Sequence, residues 1–305
     1  MAKARASRPP VAVVVPFHGS SEELSDLLTR LNQLETKPGD QLILADNRLG
    51  APQPEDSGKV IIHPAGGVAT PGFARNRGAA RANTEWLVFI DADTEPEPGL
   101  LSAYFAEAPA TSTGILAGAI VDILPTDGSD PSASSRRAVA RGHMDQAVTL
   151  ERPGFPYAQS ANCAIRRDAY RTVGGFDEEA RAGEDADLCF RIEAAGFGLE
   201  SRPQAIVSHR ARAELRDSLR QLARHGAGAA WCESRHPGSF PAPSKRELVK
   251  RLGREVLTAS SALLHGDREG AKFSMIDLAG AVAFEGGRLL PNRARRWTRP
   301  PQTQS

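Results

Sequence analysis

Two carboxylates, Asp91 and Asp93, close the apolar run Trp86-Leu87-Val88-Phe89-Ile90. A short continuous run of branched and aromatic residues suits a strand buried on both faces. Two acids at the mouth of such a strand are costly to desolvate unless something positive binds there. A divalent cation carrying a diphosphate meets that need, because hard oxygen ligands suit Mg²⁺ or Mn²⁺. The pair therefore points to an enzyme that handles a nucleotide-linked substrate. The plainer reading is that they cap the helix beginning near Pro98, but a cap needs one acid next to the helix and these stand too early.

Other residues carry the same kind of signal. Asp46-Asn47 follows a second apolar run, and ligands of open parallel sheets gather beyond the carboxyl ends of the strands. The endings Pro16-Phe17, Asp46-Asn47 and Asp91-Ala92-Asp93 would then face one crevice. Asp46 could accept from the imide N–H or exocyclic amine of a base, although an Asx-turn explains it too. Arg75, in Ala74-Arg75-Asn76-Arg77-Gly78, could balance the carboxylates or a nucleotide phosphate, or simply lie on a helix surface. Glu184-Asp185 opens a helix, with Asp187 further on, so these acids are either dipole partners or the source of a general base. Spacing alone does not choose between Glu184 and Asp185. His209 closes a strand, and by itself a lone histidine is more often structural.

Positioning these groups requires alternating strands and helices. Val11 to Val15 reads as a buried strand, and Ser20 with Glu23 as a capping box before Leu24, Leu27, Leu28, Leu31 and Leu34 at helical spacing. A turn at Lys37-Pro38-Gly39-Asp40 leads to the strand Gln41 to Ala45, which completes a β-α-β unit and implies a parallel sheet. A polar loop is expected over 48–58, a strand at 59–63, a helix over 72–83 and another opened by Pro96 and Pro98. Beyond these come a strand at 114–124, a helical stretch at 132–150, a helix over 184–195, a strand at 199–209 and a helix over 214–231. Residues 244–290 read as two amphipathic helices joined at Gly266-Asp267. The organisation expected is a lead-in (1–9), a catalytic domain (10–236), a helical appendage (244–290) and a basic tail (291–305).

Composition narrows the function classes. Among 305 residues, 38 Lys and Arg face 37 Asp and Glu, which gives no general argument for nucleic-acid binding. Cys163, Cys189 and Cys232 form no paired motif, so neither a zinc site nor a disulfide framework is expected. No apolar run approaches the roughly 20 residues that span a bilayer, and the run ending at Val15 is too short for a signal peptide. A cytoplasmic protein is expected. The arginines 293, 295, 296 and 299 around Trp297, with Phe284, Leu289 and Leu290, suggest peripheral contact at the inner face of the membrane, with homodimerisation or a frayed, solvated end as the rival readings.

Taken together, the motifs resemble family 2 glycosyltransferases of the GT-A fold, over about Val11 to His225. The resemblance rests on Val13-Val14-Val15-Pro16-Phe17-His18, Asp46-Asn47, Ala74 to Gly78 and Phe89-Ile90-Asp91-Ala92-Asp93. It extends through Asn162-Cys163-Ala164-Ile165-Arg166-Arg167, Val173 to Glu178 and Gly183 to Ile192, all in the family's order. It implies an α/β fold, a nucleotide-diphospho-sugar transferase (Rossmann-like) mixed, mostly parallel sheet flanked by helices. It also implies a nucleotide-sugar site of Pro16, Phe17, Asp46, Arg75, Asp91 and Asn162. Asp93, Asp91 and His209 would hold Mn²⁺ or Mg²⁺, and Asp185 would be the catalytic base with Glu184 as its neighbour. The processive members' Gln-x-x-Arg-Trp motif is replaced by Gln221-Leu222-Ala223-Arg224-His225, which favours a single sugar addition over polymer synthesis.

The function so implied is metal-dependent, inverting hexosyl transfer from a UDP- or GDP-sugar to a hydroxyl of a glycan, a lipid-linked sugar or a small molecule. A sugar-phosphate nucleotidyltransferase is the first alternative, weakened because Pro16 to Ser21 lacks the Lys or Arg that would hold a triphosphate. A non-catalytic carbohydrate- or partner-binding module on the same fold is the second.

Overall fold

The computed structural model describes residues 8–50, 55–125 and 130–294. In chain order its elements are β1 (Val11–Phe17), α1 (Ser21–Asn32), β2 (Gln41–Asp46), β3 (Glu55–Ser57), β4 (Val60–Pro64), α2 (Pro71–Arg81), β5 (Trp86–Ile90), β6 (Thr94–Pro96) and α3 (Leu100–Ala103). They continue with β7 (Thr113–Ile123), α4 (Ala133–Arg141), α5 (Gln146–Leu150), β8 (Asn162–Arg166), α6 (Arg167–Thr172) and α7 (Glu184–Ala194). The last are β9 (Gly198–Arg210), α8 (Leu215–Arg235), α9 (Lys245–Leu264) and α10 (Arg268–Gly287).

Nine strands form one sheet in the order β3-β4-β2-β1-β5-β8-β7-β9-β6. The block β4-β2-β1-β5 is parallel, as the β-α-β reading requires. Antiparallel pairings flank β8 and close both edges, and β7 runs parallel to β9. Val11 to Val15 are wholly buried because the sheet is covered on both faces. Val11, Val13 and Val15 join Leu27, Leu31, Trp86 and Val88 on one side. Ala12 and Val14 join Ile43, Phe89, Ile165 and Ile192 on the other. That division is the two-residue period of a strand read through a core on each face.

Several expectations are met in detail, and others shift. The capping box at Ser20 and Glu23 forms. The loop expected over 48–58 contains β3, a polar edge strand whose Glu-Asp-Ser sequence carries no strand signal. Pro96 ends β6 instead of opening a helix, and α3 begins only at Leu100. The helical stretch 132–150 is broken at Gly142, whose left-handed φ of 58° terminates α4. All three cysteines are free and buried. Residues 1–7 of the lead-in lie outside the described residues, as do Arg295, Arg296, Trp297 and Arg299 of the tail. Among the described residues, no helix is long and apolar enough to cross a membrane.

The two C-terminal helices form a hairpin turned at Gly266-Asp267. It is anchored where α10 crosses α8 at backbone distance: a side chain at Gly226 would strike the Phe284 carbonyl, and one at Gly287 the Ala223 carbonyl. Asp277 of α10 pairs with Arg137 and Arg141 of α4.

Helix α2 lies equally close to the sheet. A Cβ on Gly78 would stand 2.5 Å from Val14 Cγ1, in the most buried part of the core. Alanine there gains about 1 kcal/mol of helix propensity but overpacks the core at about 1–3 kcal/mol. Gly78→Ala is expected to lower the urea midpoint at unchanged m-value; an equal or higher midpoint would show that α2 can retreat from β1.

Candidate active site

The parallel strands deliver their carboxyl ends to one cleft of about 970 Å³, with Pro16, Phe17, Asn47, Thr70, Arg75, Asp91 and Asp93 on its walls. Register explains part of the convergence, since Phe17 of β1 stands opposite Asp46 of β2. Helix α2 enters the same cleft. Its N-cap Thr70 accepts from the Phe73 N–H, and Pro71 stands in the first turn.

Arg75 is the centre of the arrangement. Its side chain is 3% exposed, and it donates through Nη2 to Asp91 Oδ1 at 2.6 Å and through Nη1 to Glu184 Oε1 at 2.9 Å. Burial alone would depress its pKa, but the charges of Asp91 and Glu184 overcome this and hold the guanidinium firmly protonated. Burial pushes Glu184 the other way, up to about 7, with Arg75 opposing and Asp185 reinforcing the rise. We take the pair as ionic, because the guanidinium has a second carboxylate and no route to neutrality. Asp185 also sits above the usual carboxylate range, raised first by burial, lowered by the Ala186 N–H that donates to it at 2.8 Å and by Arg75, and raised again by Asp91. Next along α7, burial works against the Asp187 charge, yet His236, Arg191 and Arg235 hold it below its ordinary value. Asp187 is therefore a structural clamp.

Asp91 and Asp93 flank a turn that is stapled from α1. Arg30 donates to the carbonyls of Ala92 at 3.0 Å and Thr94 at 2.7 Å. Asp93 keeps 55% of its side chain open to the cleft. His209 Nε2 lies 3.9 Å from it and Arg212 Nη2 3.7 Å away. The other ring nitrogen of His209 is 2.9 Å from the buried Asp122, which also accepts from the Met144 N–H. Among the described residues, no three His, Cys, Asp or Glu side chains already converge as a cation cage. The donor set still fits a hard divalent ion: two carboxylates at an open turn, and an imidazole whose far nitrogen is fixed by a carboxylate, the usual support for a ligating histidine.

Pro16, Phe17, Arg75, Asp91 and Asp93 therefore share the cleft, Glu184 is tied to it through Arg75, and His209 borders Asp93. Asn162 does not line the cleft. It is fully buried, accepts from the Tyr104 hydroxyl, and donates to the carbonyls of Ala119 and Ala205, so its polar atoms are spent joining β8 to β7 and β9. Asp46 is also fully buried, and its oxygens receive Arg48, whose guanidinium lies 5.3 Å from the Phe17 ring. At the end of β2, Arg48 thus lies over Phe17 of the cleft wall, with Asp46 behind it.

Sequence reasoning missed Arg30, Thr70, Arg210, Arg212 and Arg224, all on the cleft wall. Arg210 and Arg212 directly follow His209, and that proximity was a usable signal. Arg224 enters the sequence reading only as part of Gln221-Leu222-Ala223-Arg224-His225, where His225 replaces the motif's tryptophan. Arg30 reads as an ordinary basic residue in a last turn, and nothing local marks it.

Comparison with known proteins bears on family and fold. The family profile described as "Glycosyltransferase like family 2" matches residues 9–228. Over 238 residues the chain is 32% identical to a protein of Mycobacterium tuberculosis named pre-mycofactocin glycosyltransferase, covering 74% of this chain and 48% of that one. The chain thus spans about half the length of that relative. It is 28% identical over 299 residues to the N-acetylglucosaminyl-diphospho-decaprenol L-rhamnosyltransferase of the same organism, covering 85% of this chain and 96% of the other. A solved mannosyltransferase from Pyrobaculum calidifontis, in complex with GDP-Man and Mn²⁺, superposes with a TM-score of 0.56 at 15% identity, over 92% of this chain and 88% of that one. That likeness shows the fold.

Removing the central guanidinium should expose the charge balance. In Arg75→Met, Asp91 and Glu184 lose their counter-charge, and the folded pKa of Glu184, already raised by burial, rises further. Stability tied to a raised carboxyl pKa is present at low pH and lost as pH climbs through the folded value. The variant should lose roughly 3–5 kcal/mol at pH 8 and distinctly less at pH 5, where Glu184 takes up a proton. Thermal melts of both proteins at the two pH values test this, and a deficit independent of pH would refute the charge argument.

Proposed function

Because the chain belongs to the glycosyltransferase-like family 2, we propose that it moves one sugar, with inversion, from a nucleoside-diphosphate sugar to an acceptor hydroxyl. The observation that carries the reading is the Arg75 bridge, which ties the strand-end acid Asp91 to the α7 acids beside a cleft of nucleotide-sugar size. The GT-A fold expected from the sequence supports it. The catalytic work falls to residues 10–236, with 244–290 as an appendage on the acceptor side.

In this reading Phe17 and Arg48 receive the base, and Asp46 holds Arg48 in place. Asp93, with Asp91 and His209, would hold Mn²⁺ or Mg²⁺, which when bound neutralises charge on the diphosphate leaving group. Arg212 and Arg224 add fixed positive charge where that diphosphate departs. Asp185 takes the proton of the acceptor hydroxyl as its oxygen forms the new bond to the anomeric carbon and the bond to the diphosphate oxygen breaks. Attack from the face opposite the leaving group inverts the centre. Arg75 ties Asp91 and Glu184 together beside Asp185, and its charge opposes the rise that burial imposes on Asp185.

The donor is a UDP- or GDP-sugar, a choice supported on the GDP side by the ligand of the Pyrobaculum structure. The acceptor is a hydroxyl of a glycan, a lipid-linked sugar or a small molecule, as the relatives' names suggest.

Release of UDP or GDP from a panel of sugar donors tests this directly. Asp185→Asn should cut turnover by about 10²–10⁴-fold while leaving nucleotide affinity intact, whereas Asp93→Ala should weaken nucleotide binding in the presence of Mn²⁺. Since the base acts only when ionised and its pKa is raised, the rate should climb with pH along a limb lying above the ordinary aspartate range. Near-normal turnover in Asp185→Asn would remove that residue as the base.

A further inference from the structure

We propose that an arginine-lined pocket beside the nucleotide cleft is a second anion site, taking the phosphate or diphosphate group of a phosphorylated acceptor. The word acceptor rests on the transfer reading above; the anion binding does not.

The pocket has a volume of about 480 Å³ and is lined by Arg181, Arg212, Arg220 and Arg224, with Leu290 and Pro291 at one side. Among the described residues Asp217 is its one lining acid, and Arg220 already pairs with it at 3.1 Å. Arg212 reaches Asp93 only at 3.7 Å and otherwise donates to Gln221. Among the described residues, Arg181 and Arg224 have no side-chain hydrogen bond or ion pair. Crowded like charges without counter-ions are unfavourable unless an anion arrives. Arg224 feels this directly, since burial first and then Arg212 and Arg181 lower its pKa.

The pocket is also built, because three chain segments fix its walls. Residues 179–182 lead straight into Glu184 and Asp185, and the C-terminal segment is hydrogen-bonded along them: Arg181 N–H to the Asn292 carbonyl, the Asn292 side chain to the Ala182 carbonyl, and Ala294 N–H to the Glu179 carbonyl. Helix α8 supplies the third wall. Arg212 and Arg224 line both this pocket and the nucleotide cleft, so an anion held here sits next to the donor site without occupying it. Leu289, 88% exposed, and Leu290, 55% exposed, leave apolar surface at the rim. A guanidinium cluster with such a rim suits a phosphate ester carried either on a lipid or on a water-soluble molecule.

The test titrates inorganic pyrophosphate, by calorimetry, into the full chain already saturated with UDP or GDP. Wild type should show a further binding step, weakened about tenfold or more in the double variant Arg181→Ala/Arg220→Ala, with nucleotide affinity unchanged because neither residue lines the nucleotide cleft. Pyrophosphate that binds only by displacing nucleotide, or that binds both proteins equally, overturns the proposal. Geranyl diphosphate in place of pyrophosphate separates the sources: tighter binding supports a lipid-linked acceptor, equal binding a soluble one, and both uphold the site. A pyrophosphate step that persists while the Asp185→Asn test fails would leave the anion site standing and remove only the transfer reading. Loss of the step with Asp185 behaving as expected would remove only the site.

Discussion

One buried guanidinium organises this protein. Arg75 leaves α2, lies 5.3 Å from the Phe176 ring, and joins carboxylates that come from elements distant in the chain, the end of β5 and the start of α7. Three acids in a shared desolvated region would otherwise repel and take up protons. With the guanidinium between them, Asp91 and Glu184 are paired, and Asp185 is raised by burial while Arg75 opposes the rise. The same contact thus links the end of β5 to the start of α7 and tunes the acidity of the carboxylates gathered there.

For Arg75 to reach both partners, α2 must be wedged between the sheet and the loop before α7. Small residues make this possible on both sides: Gly78 against Val14, and Gly72 against the Asp177 carbonyl. Asn76 then fixes the far loop, donating to the Phe176 carbonyl and Glu178 while accepting from the Tyr170 hydroxyl and the Phe176 N–H. The Ala74 to Gly78 motif is therefore a mechanical joint as much as a binding sequence. Each of its residues faces a different neighbour because successive helical positions are about 100° apart.

The parallel block and the acids at its strand ends were legible in the sequence because buried strands are continuous apolar runs and carboxylates interrupt them abruptly. Helix α1 was legible through its cap and leucine spacing. What escaped was whatever depends on distant partners. Asn162 heads a recognisable motif, but only the structure reveals Tyr104, Ala119 and Ala205 around it. Asp46 lies where expected, yet Arg48 covers it from two residues away. Arg30 staples a turn that is 62 residues ahead of it at Ala92, and no local pattern encodes that distance. Edge strands β3 and β6 are short and polar, so pairing with β4 and β9, rather than composition, defines them.

The pairing of residues 292–294 with the segment 179–182 braces the approach to the site. The end of the described chain is laced onto the strip that leads into Glu184 and Asp185, so the C-terminal segment and the entry to α7 are held as one unit. Residues 292–294, which sit at the margin of a basic tail in the sequence, serve instead as a tether that fixes the approach to α7.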